Sequence, residues 1–208
     1  MEDILTVYTR PYDPQHPVVT MDETSKQLVA ESRPSLPVRP GDVERYDYEY
    51  VRKGVADIFL FSEPLRGWRT VQVTDRRTKR DWAHAVRTVV EEQYPEATCI
   101  TLVCDNLNTH TPGALYEAFP PEEARRLLDR LDLRHTPKHG SWLNVAEIEL
   151  SVLSRQCLAD RIPGRDTLAA ATTAWCARRN MEGKPVEWHF TAADARIKLK
   201  HLYPSIGA

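Results

Sequence analysis

Asp105 closes the apolar run Thr101-Leu102-Val103-Cys104, and Glu147 follows forty-two residues later in Ser141-Trp142-Leu143-Asn144-Val145-Ala146-Glu147. One carboxylate at the end of a buried strand and another on an amphipathic helix is an arrangement that metal-dependent phosphodiester chemistry uses on α/β sheets. That chemistry needs carboxylates converging on two divalent ions about 3.5–4 Å apart, one activating the attacking oxygen and one stabilising the leaving oxygen. Hard oxygen ligands select Mg²⁺ or Mn²⁺ over zinc. A third carboxylate, Asp22, ends the apolar run Val18-Val19-Thr20-Met21, eighty-three residues before Asp105. Taken singly, each acid reads as a solvated strand end or helix face; Asp105, after a wholly apolar strand, is the one that needs a partner. Two choices stay open at this level. Glu147 and Glu149 stand about 200° apart on a helix, both with apolar neighbours at helical spacing, and Glu23 sits beside Asp22.

The elements that must position these acids follow from period and punctuation. Val18–Glu23 reads as a first strand, and Glu31–Asp42, with Pro34, Pro37, Pro40 and Gly41, reads as an irregular loop in which Arg33 and Arg39 are candidates to face a substrate. Three alternating bursts, Tyr46–Val51, Ala56–Phe61 and Trp68–Val73, separated by turn signals at Lys53-Gly54 and at Pro64 with Gly67, predict an antiparallel meander. Trp82, Val86, Val89 and Val90 recur at helical spacing over Thr78–Gln93, with Thr78 or Asp81 as cap and Pro95 as stop. Thr98–Asp105 is too short and too apolar for anything but a strand buried on both faces. Helices are expected over Leu115–Leu131, broken at Pro120-Pro121, then over Trp142–Leu158, over Asp166–Arg179 capped by Asp166, and from about Ala192 to Leu202, with a short strand at Leu133–Thr136. This order predicts an α/β fold in one domain, residues 1–208, with a mixed sheet, a meander on one side and flanking helices.

Composition bounds the function. A chain of 208 residues with 41% hydrophobic and 28% charged residues is an ordinary globular sequence. It contains no apolar run long enough for a membrane span, and Met1-Glu2-Asp3 is acidic where a secretory signal is basic, so a cytoplasmic location is expected. Cys99, Cys104, Cys157 and Cys176 have neither zinc nor disulfide-framework spacing. The net charge of −2 excludes a chain that is basic throughout, so any affinity for DNA must come from local patches. Candidates for such contacts are Arg69, Arg76 and Arg77, with Arg66, Lys79 and Arg80 nearby, and Lys138 and His139 before the predicted Glu147 helix. His110 and His135 are further candidates for phosphate or water contacts, Asn106 for orienting a metal ligand, and Ser141 or Asn144 for capping the Glu147 helix. Trp142, Trp175 and Trp188 are expected in the core, and Trp68 beside arginines is a candidate for base stacking.

The strings Met21-Asp22-Glu23, Val103-Cys104-Asp105-Asn106-Leu107-Asn108-Thr109-His110 and Thr136-Pro137-Lys138-His139-Gly140-Ser141-Trp142-Leu143-Asn144-Val145-Ala146-Glu147-Ile148-Glu149-Leu150-Ser151 resemble the three acidic blocks of bacterial insertion-sequence transposases of the mariner superfamily, the six-thirty family. Arg10–Pro14, Ala114–Phe119 and Thr191–Arg196 extend the likeness in order along most of the chain. The resemblance implies a ribonuclease H-like fold. It also implies a DDE catalytic triad of Asp22, Asp105 and Glu147, which takes Glu147 over Glu149, and two Mg²⁺ or Mn²⁺ ions. The partners it implies are double-stranded DNA at transposon ends and target, and a second copy in a homodimer; the setting is the bacterial cytoplasm at the nucleoid. Full-length relatives carry N-terminal helix-turn-helix domains, and these are expected to be absent from a chain beginning Met1-Glu2-Asp3. Two other functions are compatible with the same residues: a truncated regulator that pairs with full-length transposase, and a metal-dependent nuclease without strand transfer.

Overall fold

The computed structural model describes residues 1–33, 41, 49–138 and 140–203. In chain order the elements are α1 (Glu2–Tyr8), β1 (Val18–Glu31), β2 (Tyr50–Glu63), β3 (Trp68–Thr74), α2 (Lys79–Thr88), β4 (Ile100–Cys104), α3 (Pro112–Ala118), α4 (Pro121–Leu128), β5 (Leu131–His135), α5 (Ala146–Gln156), α6 (Arg165–Glu182) and α7 (Ala192–Lys198). The strands form one mixed sheet in the order β3-β2-β1-β4-β5. The pairs β1/β2 and β2/β3 are antiparallel, and β1/β4 and β4/β5 are parallel.

The meander exists, but its strands differ from those expected. β1 runs on past Asp22 through Thr24, Ser25 and Lys26 to Glu31, because β2 supplies ladder partners all along it. Lys53-Gly54 is no turn. Gln27 pairs with Val55 and Val29 with Arg52, so two residues of β2 oppose Leu28 alone, and Gly54 takes φ +98°. This is a β-bulge, whose left-handed residue needs the same glycine chemistry as a turn. Of the burst Tyr46–Val51, only Tyr50 and Val51 fall in β2; residues 46–48 lie outside the described residues, as does most of the proline-rich loop, Arg39 included. The Pro64–Gly67 turn forms as expected, with the Gly67 amide donating to the Pro64 carbonyl at 3.2 Å.

Alternation along β2 divides the core. Phe59 and Phe61 face Trp82, Val86, Leu115 and Leu127 from α2, α3 and α4, whereas Ile58 and Leu60 face Ala146, Leu153, Leu168 and Trp175 from α5 and α6. β4 is buried along its whole length. A third cluster joins α1 and α7 through Ile4, Leu5, Val103, Leu143, Val145 and Ala195.

Helix ends follow local chemistry. Thr78 caps α2 in a reciprocal capping box with Asp81, and a π-helical turn over Val89–Gln93 carries the chain toward Pro95. Pro112 and Pro121 begin α3 and α4. Asp166 does not cap α6: Gly164 holds the cap position and Asp166 lies in the first turn. The helix expected from Trp142 begins at Ala146, after a 3₁₀ turn over Ser141–Leu143 and an extended Asn144.

Candidate active site

Asp22 and Asp105 meet through strand register. Thr20 of β1 is paired with Val103 of parallel β4; Asp22 stands two residues further along β1, and Asp105 one residue past the end of β4. Glu147, in the first turn of α5, is brought up by Asn144. The Asn144 side chain is buried; its Nδ2 donates to the Met21 carbonyl at 3.0 Å and its Oδ1 accepts from the Ala146 amide at 3.2 Å. Neither Ser141 nor Asn144 caps this helix, since Val145 holds the cap position without a side-chain bond; Asn144, one residue earlier, braces the helix start and ties it to β1 next to Asp22. Tyr8 of α1 adds a second tie, its hydroxyl donating to the Leu143 carbonyl at 2.8 Å.

The electrostatics register the convergence. Burial raises the Asp22 carboxyl to about 6, and the charges of Asp105, Glu147 and Glu23 act in the same direction against the Glu23 amide that donates to Asp22 Oδ1 at 2.8 Å. Among the described residues no three His, Cys, Asp or Glu side chains stand together as a ready-made metal cluster. Asp22, Asp105 and Glu147 nevertheless fit a hard divalent cation in donor type and charge, and Glu147 is exposed, so its side chain is free to close on an ion.

Packing commits Glu149 and Glu23 to partners within the fold. Glu149 is buried at 2% exposure, with Oε2 3.1 Å from Arg69 Nε and Oε1 3.2 Å from Arg179 Nη2, so it fastens α5 to β3 and α6. Glu23 shares the sheet face of Val19 and Met21, which pack with Trp82, and its side chain is 6% exposed. It lies 3.0 Å from His110 Nε2 and 3.8 Å from Arg77 Nη1. Glu147 is exposed, whereas Asp22 and Asp105 are partly buried.

His110 is fully buried and is no phosphate ligand. Its Nδ1 lies 2.7 Å from Asp105 Oδ1, its ring stacks on Trp82 with centroids 5.5 Å apart, and its carbonyl accepts from His135 Nε2 at 2.6 Å. Burial disfavours its charge, but hydrogen bonds to Asp105, Cys104 and Glu23 outweigh that and push it up to about 11. The same contact, with His135, brings the Cys104 thiol below its usual value although burial alone would raise it. The sequence offered His110 only as one histidine among several; its burial depends on Trp82 and Glu23, which come from other elements.

The candidate DNA contacts divide. Arg69 is corrected: at 2% exposure and committed to Glu149, it has no face to offer a phosphate. Trp68 is likewise half-buried, edge-on to Tyr94 at 5.4 Å, and not free to stack on a base. Arg76 and Lys138 are exposed, and Arg77 is half-exposed between Glu23 and Asp57. His139 lies outside the described residues. Asn106 is exposed beyond β4. Trp175 is in the core as expected, but Trp188 is only half-buried against the third cluster and Trp142 is 41% exposed. No helix among the described residues is long and apolar enough to cross a membrane.

A family model described as DDE superfamily endonuclease matches residues 17–169. Among solved structures, the Mos1 strand transfer complex matches with a TM-score of 0.57 at 14% identity, covering 88% of this chain and 56% of that one. The intasome of simian T-cell lymphotropic virus matches with a TM-score of 0.50 at 11% identity, covering 96% and 58%. The chain thus spans a little over half the length of these solved chains, and the likeness is one of fold, a mixed sheet of ribonuclease H-like type. No curated protein sequence matches. With the family model matched over most of this chain, and Asp22, Asp105 and Glu147 all inside the match, the chain belongs to the DDE superfamily of endonucleases.

Proposed function

We propose that this chain, residues 1–208 as one domain, is the catalytic domain of a DNA transposase that cuts DNA at insertion-sequence ends and joins the freed 3′-hydroxyl to target DNA. The observation that carries this reading is the parallel β1/β4 register, which brings Asp22 and Asp105 to the same end of the sheet, together with the Asn144–Met21 bond that ties the start of the Glu147 helix to β1 beside Asp22; burial raises the Asp22 carboxyl to about 6. Asp22, Asp105 and Glu147 would hold two Mg²⁺ or Mn²⁺ ions, which supply the Lewis acidity that activates the attacking oxygen and stabilises the leaving one. The chain's own work is positioning: Asn144 and the Glu149–Arg69 pair set α5, and exposed Arg76, Arg77 and Lys138 hold backbone phosphates. The displacement is in line, the 3′-hydroxyl oxygen forming a bond to phosphorus as the opposite P–O bond breaks. Double-stranded DNA as partner is supported by the family's endonuclease description and by the strand transfer complex and intasome among its structural neighbours. We extend the reading to a homodimer working on nucleoid DNA in a bacterial cytoplasm.

The test is Asp105→Asn in a Mg²⁺- or Mn²⁺-dependent assay with DNA carrying the flanking terminal repeats. Cleavage is expected to be abolished, and cleavage at the unmodified rate would overturn the assignment. Pre-cut DNA with a 3′-hydroxyl end and a target plasmid then distinguish joining, expected of a transposase, from hydrolysis alone, expected of a nuclease.

A further inference from the structure

A carboxylate that follows the last residue of a strand has free side-chain torsions unless something holds it. Asp105 is in that position, one residue beyond β4, with its side chain 30% exposed. Its Oδ1 is nevertheless buried and stands 2.7 Å from His110 Nδ1 as an ion-pair contact without hydrogen-bond geometry, the same nitrogen lying 3.4 Å from the Asp105 carbonyl. His110 in turn has no freedom to turn away. Its second ring nitrogen is 3.0 Å from Glu23 Oε2, its ring lies against Trp82, and its carbonyl is fixed by His135. Glu23 is itself locked into the ladder of β1 opposite Phe59. A continuous line of contacts therefore runs from the β1 residue next to Asp22, through a buried imidazole, to one oxygen of Asp105.

We propose that His110 is a positioning residue of the acidic site: anchored by Glu23, Trp82 and His135, it takes up Oδ1 of Asp105 and leaves Oδ2 as the oxygen turned toward a divalent cation. The inference rests on the metal-site reading above and deepens it. It also gives Glu23 a role apart from the ligands, as the acid that orients the histidine which orients Asp105. Partners of this kind fix the angle at which a ligand is presented, and losing one typically weakens metal affinity about 10–100-fold.

Mn²⁺ binding to the purified full chain, followed by calorimetry, tests this in the parent, Asp105→Asn, His110→Gln and Glu23→Gln, with a thermal melt of each. Asp105→Asn is expected to remove binding. His110→Gln is expected to weaken it about 10–100-fold, and raising Mn²⁺ is expected to restore most of the cleavage rate, so that the apparent KM for metal rises more than kcat falls. A folded His110→Gln variant that binds Mn²⁺ as tightly as the parent, while Asp105→Asn does not bind, overturns the role of His110 alone. Mn²⁺ binding unaffected by Asp105→Asn overturns the metal-site reading itself. If His110→Gln does not fold, Glu23→Gln, which keeps an oxygen for His110 Nε2 but removes the charge, reads the same line of contacts; a several-fold weaker affinity supports the proposal, and parental affinity overturns it.

Discussion

Asn144 Nδ2 donates to the carbonyl of Met21 at 3.0 Å, joining the residue that precedes Asp22 to the loop that launches the Glu147 helix. Two acids more than a hundred residues apart in sequence are thereby held by one buried amide. The contact needs both ends of the asparagine, because Oδ1 accepts from the Ala146 amide at the start of α5.

Asn144→Ala is therefore expected to destabilise the fold by about 1–3 kcal/mol, the usual cost of leaving buried polar groups unpaired, measured by urea denaturation. Cleavage is expected to fall by more than the loss of folded protein explains, since the start of α5 loses its tie to β1. Asn144→Asp keeps the acceptor for Ala146 but loses the donor for Met21 and adds a negative charge beside Asp22. It is expected to lose cleavage as well. Full activity in both variants would show that the tie does not position Glu147.

Glu147 and Glu149 offer a clean separation of chemistry from stability. Glu149 lies between Arg69 and Arg179, so Glu149→Ala leaves buried Arg69 without its carboxylate while Arg179 keeps Glu182, and is expected to cost about 3–5 kcal/mol. Glu147 is exposed, and Glu147→Gln is expected to leave stability within about 0.5 kcal/mol of the parent while removing metal-dependent cleavage. Paired denaturation curves and cleavage rates decide it. A stable, inactive Glu149 variant beside an active Glu147 variant would reverse the assignment.

Where partners are local, the sequence was readable. The wholly apolar Ile100–Cys104 gave a strand buried on both faces, Thr78 with Asp81 gave a helix start, and Pro121 gave another. What was hidden depends on distant partners or on chemistry shared by two structures. A glycine with positive φ serves a bulge as well as a turn, so Lys53-Gly54 read as the end of a strand that in fact continues. The polar stretch Thr24–Lys26 is extended because β2 pairs with it. Arg69 has the spacing of a solvent-facing arginine, and only Glu149, eighty residues away, explains its burial. Asp22 and Asp105 stood out as acids at the ends of apolar strands, but only resemblance took Glu147 over Glu149; periodicity could not separate those two, because they differ in what α5 packs against.

Glu63, at the end of β2, gives a pH dependence independent of the acidic site. Its side chain is buried, accepts from the Tyr94 hydroxyl at 2.9 Å and has Arg66 only at 3.8 Å. Burial raises its carboxyl above the ordinary value of 4.5, against the opposing effects of Tyr94 and Arg66. A carboxyl raised in the folded state binds its proton more tightly there than in the unfolded chain. Its contribution to stability is thus present in full below pH 4.5 and is lost as pH rises through the folded-state value. Glu63→Gln keeps an oxygen for the Tyr94 hydroxyl and removes the buried charge. It is expected to be at least as stable as the parent at pH 7, with the advantage shrinking as the pH is lowered toward 4.5. Urea midpoints of the two proteins across that range measure it, and a variant less stable at pH 7 with no pH-dependent difference would mean that the Arg66 ion pair, rather than burial, governs Glu63.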